Sequence, residues 1–326
     1  MRAIVIKQYG GPEQLVLQDL PEPAPMPGHV VIEVEAFGLN HAEIYFRQGA
    51  WGEVAKVSGI ECVGRVQADP DGRFRIGQTV AALMGGMGRT IDGSYAELTR
   101  VPAGNVVPIE ATLPWEELAA MPESYATAWT CLMRNLALKP EQTILIRGAT
   151  SALGQAALNI AAHAGAHVIA TTRKPDRFAT LQALGARETL IEAPKLAEQI
   201  RTRHPRGIDA VLDLVGNSTL LDSLAAVRPD GRVCMAGFLG GGAPIAAFDP
   251  LMNMPSGVHL SFFASAFTFG NADYPLSAIP LQRMVDRAAS GAYKAKPARV
   301  FRFDEIQDAH RLMESNGANG KIVVRV

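Results

Sequence analysis

Cysteine is scarce in this 326-residue chain: Cys62, Cys131 and Cys234 are odd in number and far apart, which excludes a disulfide framework and a cysteine-rich zinc site and leaves buried free thiols. Charge of one sign is also missing. With 31 Lys and Arg against 32 Asp and Glu, the formal net charge of −1 leaves no electrostatic footprint for nucleic acid or an anionic membrane, so neither is expected as a partner. No apolar run approaches the length of a membrane span. The opening MRAIVIKQYGG reads as a strand rather than a signal peptide, so the expected location is the cytoplasm. Metal-ligand spacing is absent among the seven histidines; His163 and His167 stand four apart, but Gly165 lies between them where a helix should end. Neither an internal repeat nor a low-complexity tract is present. What remains, 48% hydrophobic and 19% charged residues, suits a globular chain with two cores.

The strongest positive signal runs from Thr143 to Arg177. Ile144, Leu145 and Ile146 read as a buried strand that breaks at Gly148. From Gln155 the apolar residues Ala156, Leu158, Ile160 and Ala161 fall on helical spacing, Gly165 stops the helix, and His167 to Thr172 reads as a second buried strand. This βαβ unit carries small residues in its turn, Gly148, Ala149, Thr150, Ser151, Ala152, Leu153 and Gly154, where backbone N–H groups can approach a pyrophosphate at the helix N-terminus. The spacing is not the full G-x-G-x-x-G fingerprint, and it is the order and length of the flanking elements that make a bound nucleotide the expectation. A protein selecting NAD places Asp or Glu at the end of the second strand. Here Thr172, Arg173 and Lys174 follow, with Arg177 just beyond, so the expected cofactor is NADPH. Asp176 reads as an acid near the next helix N-terminus.

Residues 2 to 101 hold short strand-like runs, such as Val30 to Phe37 with Ile32, Val34 and Ala36 alternating against Glu33 and Glu35, and suggest a barrel. The proline-rich 21–27 segment must be a loop. Four glycines between Leu83 and Gly93 mark a mobile segment. From Trp115 to Leu138 the period turns helical. Beyond the βαβ unit, strands at Ile208 to Asp213, Gly231 to Ala236 and Val258 to Phe263 alternate with helices to about Arg203 and from Thr219 to Arg228, stopped before Pro229; this predicts a doubly wound parallel sheet in an α/β chain. Later, Asp304 with Gln307 predicts a capping box, and a strand from Lys321 to Val326 suggests a return to the N-terminal domain, with ligand held between the two.

With these residues in view, nearly the whole chain resembles the medium-chain dehydrogenase/reductase superfamily, in its zinc-free quinone oxidoreductase branch. The resemblance is carried by LNHAEIYFRQG from Leu39, SGIECVGRV from Ser58, GATSALG from Gly148 and NGKIVV from Asn319. It implies a GroES-like β-barrel catalytic domain over residues 1–122, a Rossmann domain over 123–265 and a return to the catalytic domain over 266–326. It also implies hydride transfer from NADPH to small quinones or α,β-unsaturated carbonyls. A 2-enoyl thioester reductase, or an NADPH-binding regulatory protein with little turnover, are the alternatives. Zinc-dependent relatives have Cys where this chain has Asn40 and His where it has Ile60, beside the shared Glu61, so no metal is expected. Ser151 stands where the branch commonly has glycine, and its hydroxyl can contact phosphate.

By the same resemblance, Asn40 and Tyr45 face the nicotinamide and donate to the substrate oxygen, with Tyr45 or solvent passing the proton. Trp51 either stacks on the acceptor ring or belongs to the barrel core. Glu43, Arg47 and Glu61 form a bracing charged network rather than acid–base machinery. Thr127 lies beside the nicotinamide ribose or ring, Gly237, Phe238 and Leu239 line the pocket, with Phe238 reaching substrate, and Asn319 and Lys321 close over the cofactor. Leu260, Phe262, Phe263 and Phe267 either are core or pair an edge strand across a homodimer.

Overall fold

The computed structural model describes residues 1–326. Its first strands, β1 (Arg2–Ile6) and β2 (Leu15–Asp19), pair antiparallel. Next come β3 (His29–Gly38), whose alternating residues send Val30, Ile32, Val34 and Ala36 into the core, and α1 (His41–Gln48). The strands β4 (Glu61–Ala68), β5 (Thr79–Leu83), β6 (Leu98–Pro102) and β7 (Val106–Pro108) complete this stretch. Leu83 to Gly93, expected to be mobile, is instead a packed loop: Met87 is buried, Gly88 N–H donates to the Ile91 carbonyl at 2.9 Å, and Gly93 lies against the backbone of Ser58 and Gly59. Gly85, Gly86 and Gly88 supply positive φ for the turn, and Gly93 allows close backbone approach.

The helical stretch from Trp115 is not one helix. It divides into α2 (Trp115–Ala119), α3 (Pro122–Trp129) and a π-helical turn over Thr130–Asn135. Pro122 has no N–H to give to a preceding turn, so it ends one helix and opens the next.

The nucleotide-type elements follow: β8 (Thr143–Arg147), α4 (Ala152–His163), β9 (His167–Thr172), α5 (Phe178–Ala183), β10 (Glu188–Ile191), α6 (Leu196–Arg203), β11 (Ile208–Asp213), α7 (Leu220–Ala226), β12 (Val227–Met235), α8 (Pro250–Asn253) and β13 (His259–Phe262). All six strands are parallel, in the order β10-β9-β8-β11-β12-β13. The order reverses between β8 and β11, the switch point where such sheets bind ligand. Leu145, Ile169, Val211, Leu224 and Val233 are among the side chains that fill the core. The helix expected to run to Arg228 ends at Ala226: β12 begins at Val227, and Pro229 with Asp230, at φ 61°, makes an irregularity in its pairing with β11.

The remaining elements are α9 (Ser265–Thr268), α10 (Leu281–Ala289), β14 (Arg299–Arg302), α11 (Ile306–Glu314) and β15 (Ile322–Arg325). The box before α11 is two residues earlier than the pattern suggests: the Glu305 carboxylate accepts from Arg302 N–H at 2.8 Å, because Arg302 has the extended backbone a cap requires, while Gln307 donates to the Leu15 carbonyl at 3.0 Å. β15 lies between β14 and β3 in the sheet β14-β15-β3-β4-β5-β7, with β6 on β3. The chain thus forms two units, Met1–Ala126 with Ser265–Val326, and Thr127–Ala264. The first division falls inside α3, between Ala126 and Thr127.

Candidate active site

In the second unit, Gly148 takes φ 74° as β8 ends, and the chain enters α4 through Ser151. The Ser151 hydroxyl is the helix cap: it accepts from Gly154 N–H at 3.1 Å and donates to the Gly148 carbonyl at 2.9 Å. The turn is pinned from behind. Gly148 N–H donates to Thr171 Oγ1 at 3.2 Å, the Thr171 hydroxyl donates to Glu192 at 2.7 Å, and Glu192 pairs with the buried Arg147. Arg147 reaches on to Asp222 at 2.8 Å and Ser223 at 3.2 Å. These bonds leave the amides of Thr150, Ala152 and Leu153 for an anion, in the usual manner of a first helical turn. A Cβ on Gly154 would stand 2.6 Å from the Gly148 carbonyl oxygen and 2.7 Å from Ala149 Cα, so only glycine fits.

Beyond β9, Thr172 is buried, Arg173 and Lys174 are exposed, and Arg177 lies 3.6 Å from Asp176. Thr127 is buried on α3. Leu239 lies against Gly148, and Phe238 packs on the core of this unit with its ring edge-on to Phe262 at 6.0 Å. Of the apolar residues near β13, Phe263 is core, whereas Phe262 is 55% exposed and Leu260 37% exposed on the sheet's edge strand.

In the first unit, a cluster of polar side chains is buried around Glu61. Asn40 caps α1, and its own N–H donates to Glu43 at 2.7 Å. The Asn40 amide donates to Glu61 at 2.9 Å and to Glu43 at 3.4 Å, and its oxygen accepts from Lys321 Nζ at 2.7 Å. Lys321 also pairs with Glu61, whose other oxygen accepts from Glu123 N–H at 2.8 Å at the start of α3. The charged network therefore separates into two: Arg47 belongs elsewhere, with its guanidinium on the Gly10 carbonyl and Glu314. Tyr45 is half-buried and stacks on Trp51 at 4.8 Å; Trp51 is 50% exposed, so it is not barrel core. Asn319 turns the chain at φ 51° ahead of Lys321.

The sequence pattern passed over His41. Burial, with the Lys321 charge nearby, holds its imidazole below the usual range against the opposing pull of Asn316. No spacing signal marks it, because its partners come from the far end of the chain. The residues do not suit zinc: no group of three or more His, Cys, Asp or Glu side chains could hold a metal ion, and the donors around Glu61 already face an ammonium.

Burial pushes the Glu43 carboxyl up to about 8 despite the pull of Lys321. An unfolded Glu titrates at 4.5, so the folded chain holds one more proton between there and about 8, and the stability present below that window is lost as pH rises through it. Urea unfolding at stepped pH should show wild type losing on the order of a few kcal/mol more than Glu43→Gln across the window. Equal slopes would mean that Glu43 is already ionised in the fold.

Residues 26–111 match the family described as "Alcohol dehydrogenase GroES-like domain" and residues 152–279 the family described as "Zinc-binding dehydrogenase". A parallel nucleotide sheet set between two segments of a GroES-like unit defines the two-unit oxidoreductases. The chain belongs to the medium-chain dehydrogenase/reductase superfamily. It is 26% identical over 333 residues to quinone oxidoreductase of Rattus norvegicus, covering 99% of this chain and 97% of that one. It is 28% identical over 325 residues to a squalestatin tetraketide synthase of Cochliobolus lunatus, covering 91% of this chain but only 12% of that much longer protein. Among solved structures, a mycobacterial protein complexed with NADPH is similar at a TM-score of 0.88 and 25% identity over 100% of both chains. No helix is long and apolar enough to cross a membrane.

Proposed function

We propose that this chain is an NADPH-dependent reductase that works without zinc and delivers hydride to quinones or α,β-unsaturated carbonyls. The observation that carries the reading is the turn at Gly148 to Gly154: an anion cradle at the switch point, followed past β9 by exposed cations in place of an acidic ribose partner. The likeness to a quinone oxidoreductase and to a protein solved with NADPH supports it. When bound, the reduced nicotinamide supplies the hydride. The amides of Thr150, Ala152 and Leu153 hold pyrophosphate, Arg173, Lys174 and Arg177 take the 2′-phosphate, and Thr127, Gly237, Phe238, Leu239 and Asn319 position the rest. Tyr45 offers a hydroxyl beside Trp51, whose exposed face suits an aromatic acceptor. The exposed Leu260 and Phe262 on edge strand β13 support pairing as a homodimer.

Initial rates with NADPH and with NADH, against a simple quinone, a short enone and an enoyl thioester, before and after a chelator, test the reading. Turnover should prefer NADPH and survive chelation, and Arg173→Ala should raise the KM for NADPH by about tenfold, a loss of about 1.4 kcal/mol, while leaving that for NADH in place. Loss of activity on chelation would sink the metal-free site. Preference for the thioester would make it an enoyl thioester reductase, and NADPH binding with no turnover would make it a regulator.

A further inference from the structure

Asn40 has no donor left for a ligand. Both hydrogens of its Nδ2 face carboxyl oxygens, of Glu61 and Glu43, and its oxygen is taken by Lys321. Lys321 differs. An ammonium carries three hydrogens, and the cluster uses two, one on Glu61 and one on Asn40. Its charge is balanced by Glu61, and the absence of a side chain at Gly38 makes room for the pair, since a Cβ there would abut Lys321 Cε and stand 2.7 Å from Glu61 Oε1. A lysine that is only 5% exposed, aimed by two fixed acceptors and retaining one free N–H, is a preorganised cation rather than a solvated one.

We propose that Lys321 is the group that acts on the substrate's oxygen in this chain, and that Asn40 and Glu61 are positioning residues that aim it. The inference rests on the reductase reading above. Hydride adds to the β-carbon of an enone, the C=C pair shifts, and the carbonyl electron pair moves onto oxygen as an enolate. The Lys321 N–H hydrogen-bonds that oxygen as its charge develops, and a proton from solvent completes the product at the α-carbon, leaving the ammonium intact. Lys321 thereby supplies the fixed positive charge that a metal supplies in zinc-dependent chemistry.

The test uses three variants of the full chain: Lys321→Met, Lys321→Met with Glu61→Gln, and Lys321→Arg. Lys321→Met strands the Glu61 charge and should lower both Tm and activity. The double variant removes both charges, so its Tm should return to near wild type while kcat with quinone and enone stays down by about 100-fold and the Kd for NADPH is unchanged. Lys321→Arg should recover part of kcat. A readout free of turnover is the ionisation of bound 4-nitrophenol, a stable stand-in for the enolate: it should occur at lower pH on wild type than on the double variant. A double variant that regains kcat along with Tm would overturn the proposal, leaving Lys321 a mere counter-ion to Glu61. So would a loss confined to NADPH binding, which would make Lys321 a cofactor contact. Wild type without turnover on either acceptor would fail the reductase reading itself, and the catalytic role with it.

Discussion

Gly154→Ala should cost the chain its nucleotide. The added Cβ would meet backbone atoms, 2.6 Å from the Gly148 oxygen and 2.7 Å from Ala149 Cα, and backbone cannot swing away as a side-chain tip can. The turn must therefore open, separating the Ser151 hydroxyl from Gly154 N–H and from the Gly148 carbonyl, the two bonds that set the first turn of α4. The amides left for phosphate lose their common aim. Overpacking of this kind costs about 1–3 kcal/mol. The binding loss adds the misdirected phosphate contacts, so the Kd for NADPH should rise by about 100-fold, roughly 2.7 kcal/mol. Fluorescence titration with NADPH, alongside a thermal melt to show that the sheet persists, reads both effects. Wild-type affinity in a folded Gly154→Ala chain would place the nucleotide somewhere other than this turn.

The second large effect concerns Arg147, which is buried at the end of β8 and joins Glu192, Asp222 and Ser223. Asp213 lies behind it, accepting from the Thr219 and Ser223 hydroxyls and from the Val215 and Gly216 amides. One guanidinium thus ties the ends of β8, β10 and β11 to α7. Arg147→Met leaves these carboxylates without their cation, a change that costs about 3–5 kcal/mol. Tm should fall by roughly 10 °C. Arg147→Lys should lie between, because a single ammonium cannot serve Glu192 and Asp222 in the forked geometry of a guanidinium. An unchanged melt in Arg147→Met would show that the carboxylates find water instead.

Why the parallel sheet was legible and the polar clusters were not follows from where their causes lie. The strand from Thr143, the glycine break and the helix from Ala152 are set by neighbours within a dozen residues, so period and punctuation report them directly. The capping residue before α11 is two places off because Asp304-x-x-Gln307 fits the usual capping pattern while Arg302-x-x-Glu305 does not, and only the extended backbone of Arg302, at the end of β14, reveals the real box. The loop at Leu83 to Gly93 shows the same limit: four glycines look alike whether they give freedom or let backbone pass close to Gly59. Asn40 was visible as a residue of interest through the family pattern. Its donors being spent was not, because that depends on Glu61 and on a lysine that arrives from the other end of the chain. Arg147 gave no signal at all, since a lone arginine at the end of an apolar run is normally solvated.

That long reach has a consequence for how the chain is made. Lys321 meets Asn40 across 281 residues, and β15 must enter between β14 and β3 after the whole of 127–264 has been synthesised. The interrupting unit is continuous in sequence and can close its own sheet on the way out of the ribosome, while β3 waits with an open flank. Vectorial synthesis thus places the arrival of Lys321's positive charge and the closing of the β3 flank in one late event. Until then Glu61 is an acid without its counter-ion, which favours keeping it hydrated and the first unit loose. Premature burial is disfavoured by electrostatics, and β15 is the strand that licenses compaction.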